Sequence, residues 1–91
     1  MEDLKKIISD VFKAEFDTAE LVSVSVEPDF DQDGDEVIQL RFVFHTEDGR
    51  LDARKVKSLV RHLREPMQKL GENRFPILRF ITQEEFENEA A

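Results

Sequence analysis

The spacing of apolar residues changes twice in the first half of the chain, and each change dictates a different backbone. Leu4, Ile7, Ile8, Val11, Phe12 and Phe16 recur at steps of three and four, which draws one apolar stripe along a helix. From Leu21 to Glu27 the step drops to two. Val22, Val24 and Val26 fall on one side and Ser23, Ser25 and Glu27 on the other, the pattern of a strand buried on one face, with Pro28 expected to end its hydrogen-bonding ladder. After the polar segment Asp29 to Glu36 the alternation resumes: Ile38, Leu40, Phe42 and Phe44 oppose Gln39, Arg41, Val43 and His45. Strands adjacent in sequence usually pair, so these two are expected to form an antiparallel hairpin.

Glu47-Asp48-Gly49-Arg50 turns the chain, with glycine where a positive φ is needed. Asp52 is the expected N-cap of a second helix, whose face is Val56, Leu59, Val60, Leu63, Met67 and Leu70 and whose end is Gly71. Pro66 lies inside it. A mid-helix proline loses one backbone bond and crowds the preceding turn, so a kink or a break into two helices is expected near Glu65. Phe75-Pro76 leads into the β-prone Ile77-Leu78-Arg79-Phe80-Ile81, where either face could be the buried one. Thr82 with Glu85 forms a capping box for a short final helix, Gln83 to Glu89.

The reading is an α+β fold. It is a two-layer α/β sandwich with a three-stranded mixed sheet in α-β-β-α(-α)-β order and a short C-terminal helix. A right-handed crossover is expected to bring the third strand parallel to the second and beside the first. The helices then cover one face, leaving Ser23, Ser25, Gln39, Arg41, Val43 and Arg79 on the other, open to water or to a partner.

Ninety-one residues support one core, so residues 1–91 are read as a single domain, and eight Phe supply much of its apolar area. No cysteine is present, which excludes disulfides and thiolate metal sites. Met1-Glu2-Asp3-Leu4-Lys5-Lys6 lacks the order of a secretory signal and no run is long enough to span a membrane, so the expected location is cytoplasmic.

Charge is unevenly distributed. The net is −8, yet between Arg50 and Arg74 there are eight Lys or Arg against three acids, a net of +5 that leaves −13 for the rest. Arg54, Lys57, Arg61 and Arg64 recur at steps of three, four and three, one outward stripe of the second helix. With Arg41, Arg50 and Arg74 they form a candidate binding set for an acidic protein or for phosphates, against the plainer reading of a solvated face paired with the chain's own acids. Asp29-Phe30-Asp31-Gln32-Asp33-Gly34 matches the first half of a calcium loop, making Asp29, Asp31, Asp33 and Asp35 candidate ligands. The second half does not match, because Leu40 stands where a bidentate Glu belongs, and self-capping aspartates in an inter-strand turn explain the same residues.

Catalytic candidates are few. His45 and His62 lack metal-ligand partners at helical spacing, and Ser9, Ser23, Ser25 and Ser58 show no triad pattern. No Gly-rich phosphate loop or HExxH is present, so the expectation is a non-enzyme without a cofactor.

If Pro66 divides the second helix, the order α-β-β-α-α-β resembles the type II KH domain, which implies single-stranded nucleic-acid binding. That family's GXXG loop between the helices is replaced here by Leu63-Arg64-Glu65-Pro66-Met67-Gln68. The stretches Asp31-Gln32-Asp33-Gly34-Asp35-Glu36-Val37 and Gly71-Glu72-Asn73-Arg74-Phe75-Pro76-Ile77 also resemble small uncharacterised bacterial proteins with an acidic Asp-Gly-Asp turn and a Phe-Pro-initiated last strand. Leu51-Asp52-Ala53-Arg54 and Leu59-Val60-Arg61-His62-Leu63-Arg64 extend the likeness over most of the chain after Leu21. This second resemblance implies a partner protein in the manner of toxin–antitoxin pairs.

The sequence therefore directs attention to a non-enzymatic protein-binding module, a small bacterial regulator or antitoxin-like partner, which presents its acidic surface or its open sheet face to one protein partner. The alternatives are a KH-like nucleic-acid binder using the basic helix 52–70 and a calcium-binding loop at 29–35. Homodimerisation through a free strand edge or the open sheet stays open as well.

Overall fold

A computed structural model describes residues 2–90. The elements are α1 (Glu2–Glu15), β1 (Glu20–Phe30), β2 (Glu36–His45), α2 (Ala53–Lys69), β3 (Phe75–Thr82) and α3 (Gln83–Ala90). They form an α+β fold around one three-stranded mixed sheet, in which β1 pairs antiparallel and β3 parallel with β2. Leu4, Ile8, Phe12 and Phe16 from the α1 side and Leu59, Leu63 and Met67 of α2 close over Ile38, Leu40, Phe42 and Phe44 of β2. At the centre, Phe42 stacks between Phe12 and Phe80, with ring centroids 5.2 Å apart on each side. Offset aromatic packing of this kind adds to the area buried, so the stack ties α1 to two strands at once.

The strand order is β1-β2-β3, which places β3 beside β2 and corrects the expectation that it lies beside β1. Pro28 supplies the reason. It does not end β1, which continues to Phe30 with Pro28 paired in register with Ile38. A proline within a strand is tolerated at a sheet edge, where its missing N–H costs no ladder bond, but not in the middle. A β1 flanked on both sides would have to accommodate Pro28 centrally, whereas β2 contains no proline and is buried on both faces, through Leu40 and Phe42 on one and Val37 and Val43 on the other.

A second correction concerns the facing of β1. The register shifts between Leu21 and Ser23, so Val22 is a bulge residue. Its side chain is exposed, and Leu21 joins Val24 and Val26 in packing against the core. One extra residue in a strand reverses the parity of everything beyond it, so strict alternation in the sequence does not carry through a bulge.

Helix α2 begins at Asp52, whose side chain accepts a bond from the Arg54 N–H at 2.9 Å. It ends in a Schellman arrangement, with the Gly71 N–H bonded to the Gln68 carbonyl and the Glu72 N–H to the Met67 carbonyl, each at 2.9 Å. Gly71 has φ 84°, which explains glycine there. Pro66 does not divide the helix: Ala53–Lys69 is one element. Buried Leu63 and Met67 anchor it on both sides of the proline, so packing holds the turn that the lost bond loosens. The paired helices of the type II KH order are accordingly not formed among the described residues.

The ambiguous face of β3 resolves with Leu78 and Phe80 on the main core and Ile81 buried on the opposite side. That second face is not wholly open, as had been expected. The C-terminal α3 starts directly from β3, capped by Thr82 through the Glu85 N–H at 3.2 Å, and packs against β2 and β3. Val43 and Ile81, in register with each other, are buried at this end.

Phe42→Ala removes the middle ring of the stack. The expected cost is about 3–5 kcal/mol, a large part of the roughly 5–15 kcal/mol that holds a domain folded, and it is read as a fall in the urea midpoint. Pro66→Ala restores a helical N–H and should raise the same midpoint, by up to about 3 kcal/mol.

Candidate functional site

Arg54, Lys57, Arg61 and Arg64 are all exposed, on the side of α2 opposite its buried Leu59, Leu63 and Met67. From first to last they are ten helical steps apart, a row of about 15 Å at 1.5 Å per residue. The ion pairs among the described residues are His45 with Glu84, His62 with Glu15, Lys69 with Glu65 and Arg74 with Glu72. None includes a member of the row. The four side chains therefore present positive charge that no neighbouring carboxylate neutralises at contact distance, which the reading as an internally paired face had not anticipated.

The other three cations of the candidate set do not join the row. Arg74 is held by Glu72, with Nε donating to Oε2 at 2.8 Å and Nη2 to Oε1 at 2.6 Å, while the Arg74 N–H also donates to Oε2. This fork fixes the loop between α2 and β3 and consumes the charge. The Arg74 guanidinium bonds hold the Glu72 carboxyl below the usual carboxylate range. Arg50 is in the α2-preceding turn, where its N–H donates to Asp48 Oδ1 at 3.0 Å; that bond lowers the Asp48 pKa most. Arg41 is on the sheet face turned away from α1 and α2, the opposite side of the sheet from the row.

There Arg41 meets a residue that the sequence had placed on the open face but not in the binding set. Arg41 of β2 is in direct register with Arg79 of β3 and with Ser25 of β1. These three line a cleft of about 170 Å³ with Glu27, Gln39 and Leu40. The pairing of the two arginines depends on β3 lying beside β2, so an argument that put β3 beside β1 could not find it.

The acidic turn is built as self-capping aspartate predicts. Asp31 Oδ1 accepts from the N–H groups of Asp33 and Asp35, each at 2.9 Å, and its carbonyl accepts from Gly34 at 3.0 Å. Gly34 takes φ 85°. Carboxylate oxygens of Asp31, Asp33 and Asp35 come within 4.8 Å of one another, all exposed. Asp29 is outside this group: it is engaged by its neighbour's N–H and by the Gln39 amide.

His45 and His62 each face a glutamate, at 3.3 and 3.1 Å, and Ser58 donates to the Lys55 carbonyl within α2. No helix is long and apolar enough to cross a membrane among the described residues. The arrangement defines a small α+β protein with an unneutralised cationic helix face on an acidic body. The chain matches no protein-family model, no curated protein and no solved structure at a significant level.

The Glu72–Arg74 fork carries an acid dependence. A carboxyl whose pKa is depressed on folding stabilises the fold above its unfolded value, about 4.3, and that contribution is lost as the pH falls through the lower folded value. Glu72→Gln should lower stability at pH 7 by about 1 kcal/mol. The difference from wild type should shrink below about pH 4, as followed by urea unfolding across pH.

Proposed function

We propose that this chain is a non-enzymatic protein-binding module that docks an acidic partner along the outward row of α2. The observation that carries the reading is the row itself: four exposed cations free of ion pairs among the described residues, on a chain whose net charge is −8. Among the described residues Lys69 and Arg74 are the Lys and Arg side chains held in ion pairs, and what sets the row apart is the alignment of four cations on one helix face. Such a row is available for exchange of its counterions against a partner's carboxylates, which speeds encounter and fixes orientation. The acidic remainder of the surface works in the same direction for selectivity, since it repels an acidic partner over most of its area.

Phosphate is the competing anion, and the nucleic-acid reading draws on the same four residues. The fold supports it less. Arg41 is across the sheet and Arg74 is bound to Glu72, which leaves a short row. The exposed aromatic residues are elsewhere, Phe30 and Phe75 on strands and Phe86 on α3, so the row has no stacking platform for bases.

Affinity capture from nuclease-treated extract of the source cell tests the reading. Wild-type protein should retain the same acidic protein in repeated captures. The double variant Arg61→Glu, Arg64→Glu should lose it, and Lys5→Glu, on α1, should not. Raising salt from 50 to 500 mM should weaken retention strongly, because exposed charges are screened within a few ångströms at high salt. Retention that disappears on nuclease treatment, or a salt-dependent gel shift abolished by Arg61→Glu, would transfer the row to nucleic acid.

A further inference from the structure

The sheet has two free edges, and they are not alike. The β1 edge is interrupted by the bulge at Val22 and by Pro28, and it carries Glu20, Glu27 and Asp29. These are the devices by which natural sheets refuse an added strand. The β3 edge has almost none of them. Over its eight residues the one proline, Pro76, is at the start and the one charged residue is Arg79. Its backbone makes no hydrogen bond outside its strand pairing among the described residues.

The side chains beside this edge are also unfinished. Arg41 and Arg79 are neighbours on one face of the sheet, and like charges directly opposite each other on adjacent strands are unfavourable. Among the described residues neither guanidinium is within ion-pair distance of a carboxylate. Toward the N-terminal end of β3 the same face carries Ile77, part-buried, and Phe75, which is 55% exposed. Glu27 lines the same cleft but forms no ion pair with either arginine, so Arg79 at the edge is open to a further anion and Phe75 and Ile77 to an apolar group.

The geometry points to β3 as an acceptor strand: an extended segment of another protein, with carboxylate side chains on alternate positions, pairs with its free edge and places a carboxylate beside Arg79, on the side away from Arg41. Main-chain bonds to β3 give the affinity and alternate side chains the selection, as in other strand-addition complexes. A second copy of this chain is a poor occupant, because its own β3 brings another Arg79, and no carboxylate, to the same face. The inference does not rest on the α2 row, which lies across the sheet.

Isotope-labelled protein titrated with a capped octapeptide of alternating glutamate and valine tests it, with the lysine–valine octapeptide as its counterpart. The glutamate peptide should shift the amide resonances of Phe75–Thr82 and slow their hydrogen exchange, and the lysine peptide should do neither. Arg79→Glu, with wild-type melting behaviour, should weaken binding about tenfold or more, while Arg61→Glu leaves it unchanged. Absence of saturable binding, equal affinity for the two peptides, shifts confined to α2, or an unaltered affinity in Arg79→Glu would each overturn the proposal.

Discussion

Everything else in the structure leans on β2 being buried from both sides. Its Ile38, Leu40, Phe42 and Phe44 close with α1 and α2, while Val37 and Val43 are covered on the other face. A three-stranded sheet has only one position in which a strand can be flanked on both edges, and the most apolar strand takes it. The other two strands are then edges by default, and the Phe12–Phe42–Phe80 stack spans from the first helix to the last strand through that centre.

The polar surface follows from the same economy of core. With 37% charged residues there is little room to bury any of them, and no charged or polar residue is buried among those described. Charges therefore act only at the surface, where pairing is worth little unless the geometry is bidentate, as it is between Glu72 and Arg74. Two groups of unpaired cations stand on opposite sides of the sheet, the α2 row and the Arg41–Arg79 pair. A sum over the segment Arg50 to Arg74 merges the whole of the first with the internally bound Arg74 and misses the second.

What could be read from the residues was local. Both helix caps of α2, the glycine turns, the Thr82–Glu85 cap and the hairpin of β1 with β2 all follow from short-range chemistry, and all are present. Three features were not legible for physical reasons. Alternation from Val22 to Glu27 continues through the bulge at Val22, and the adjacent apolar pair Leu21-Val22 does not say which of the two side chains faces the core. Continuity of α2 through Pro66 depends on anchors, Leu63 and Met67, whose burial is a tertiary fact. Crossover handedness alone does not say which strand β3 joins; the edge position marked by Pro28 does, and the Arg41–Arg79 register follows only from that. Of the candidate cations, the α2 row was legible because helical spacing alone determines it.

The extra residue at Val22 has an effect beyond its own strand. A bulge increases twist locally, so the Glu20 end of β1 leaves the plane that a flat neighbour would need. Together with Pro28 it makes one margin of the sheet unsuited to growth, whatever happens at the other. A molecule with a single receptive margin can be extended once and then stops, so association through β3 yields closed pairs and not the stacked ribbons that a sheet receptive at both margins could propagate.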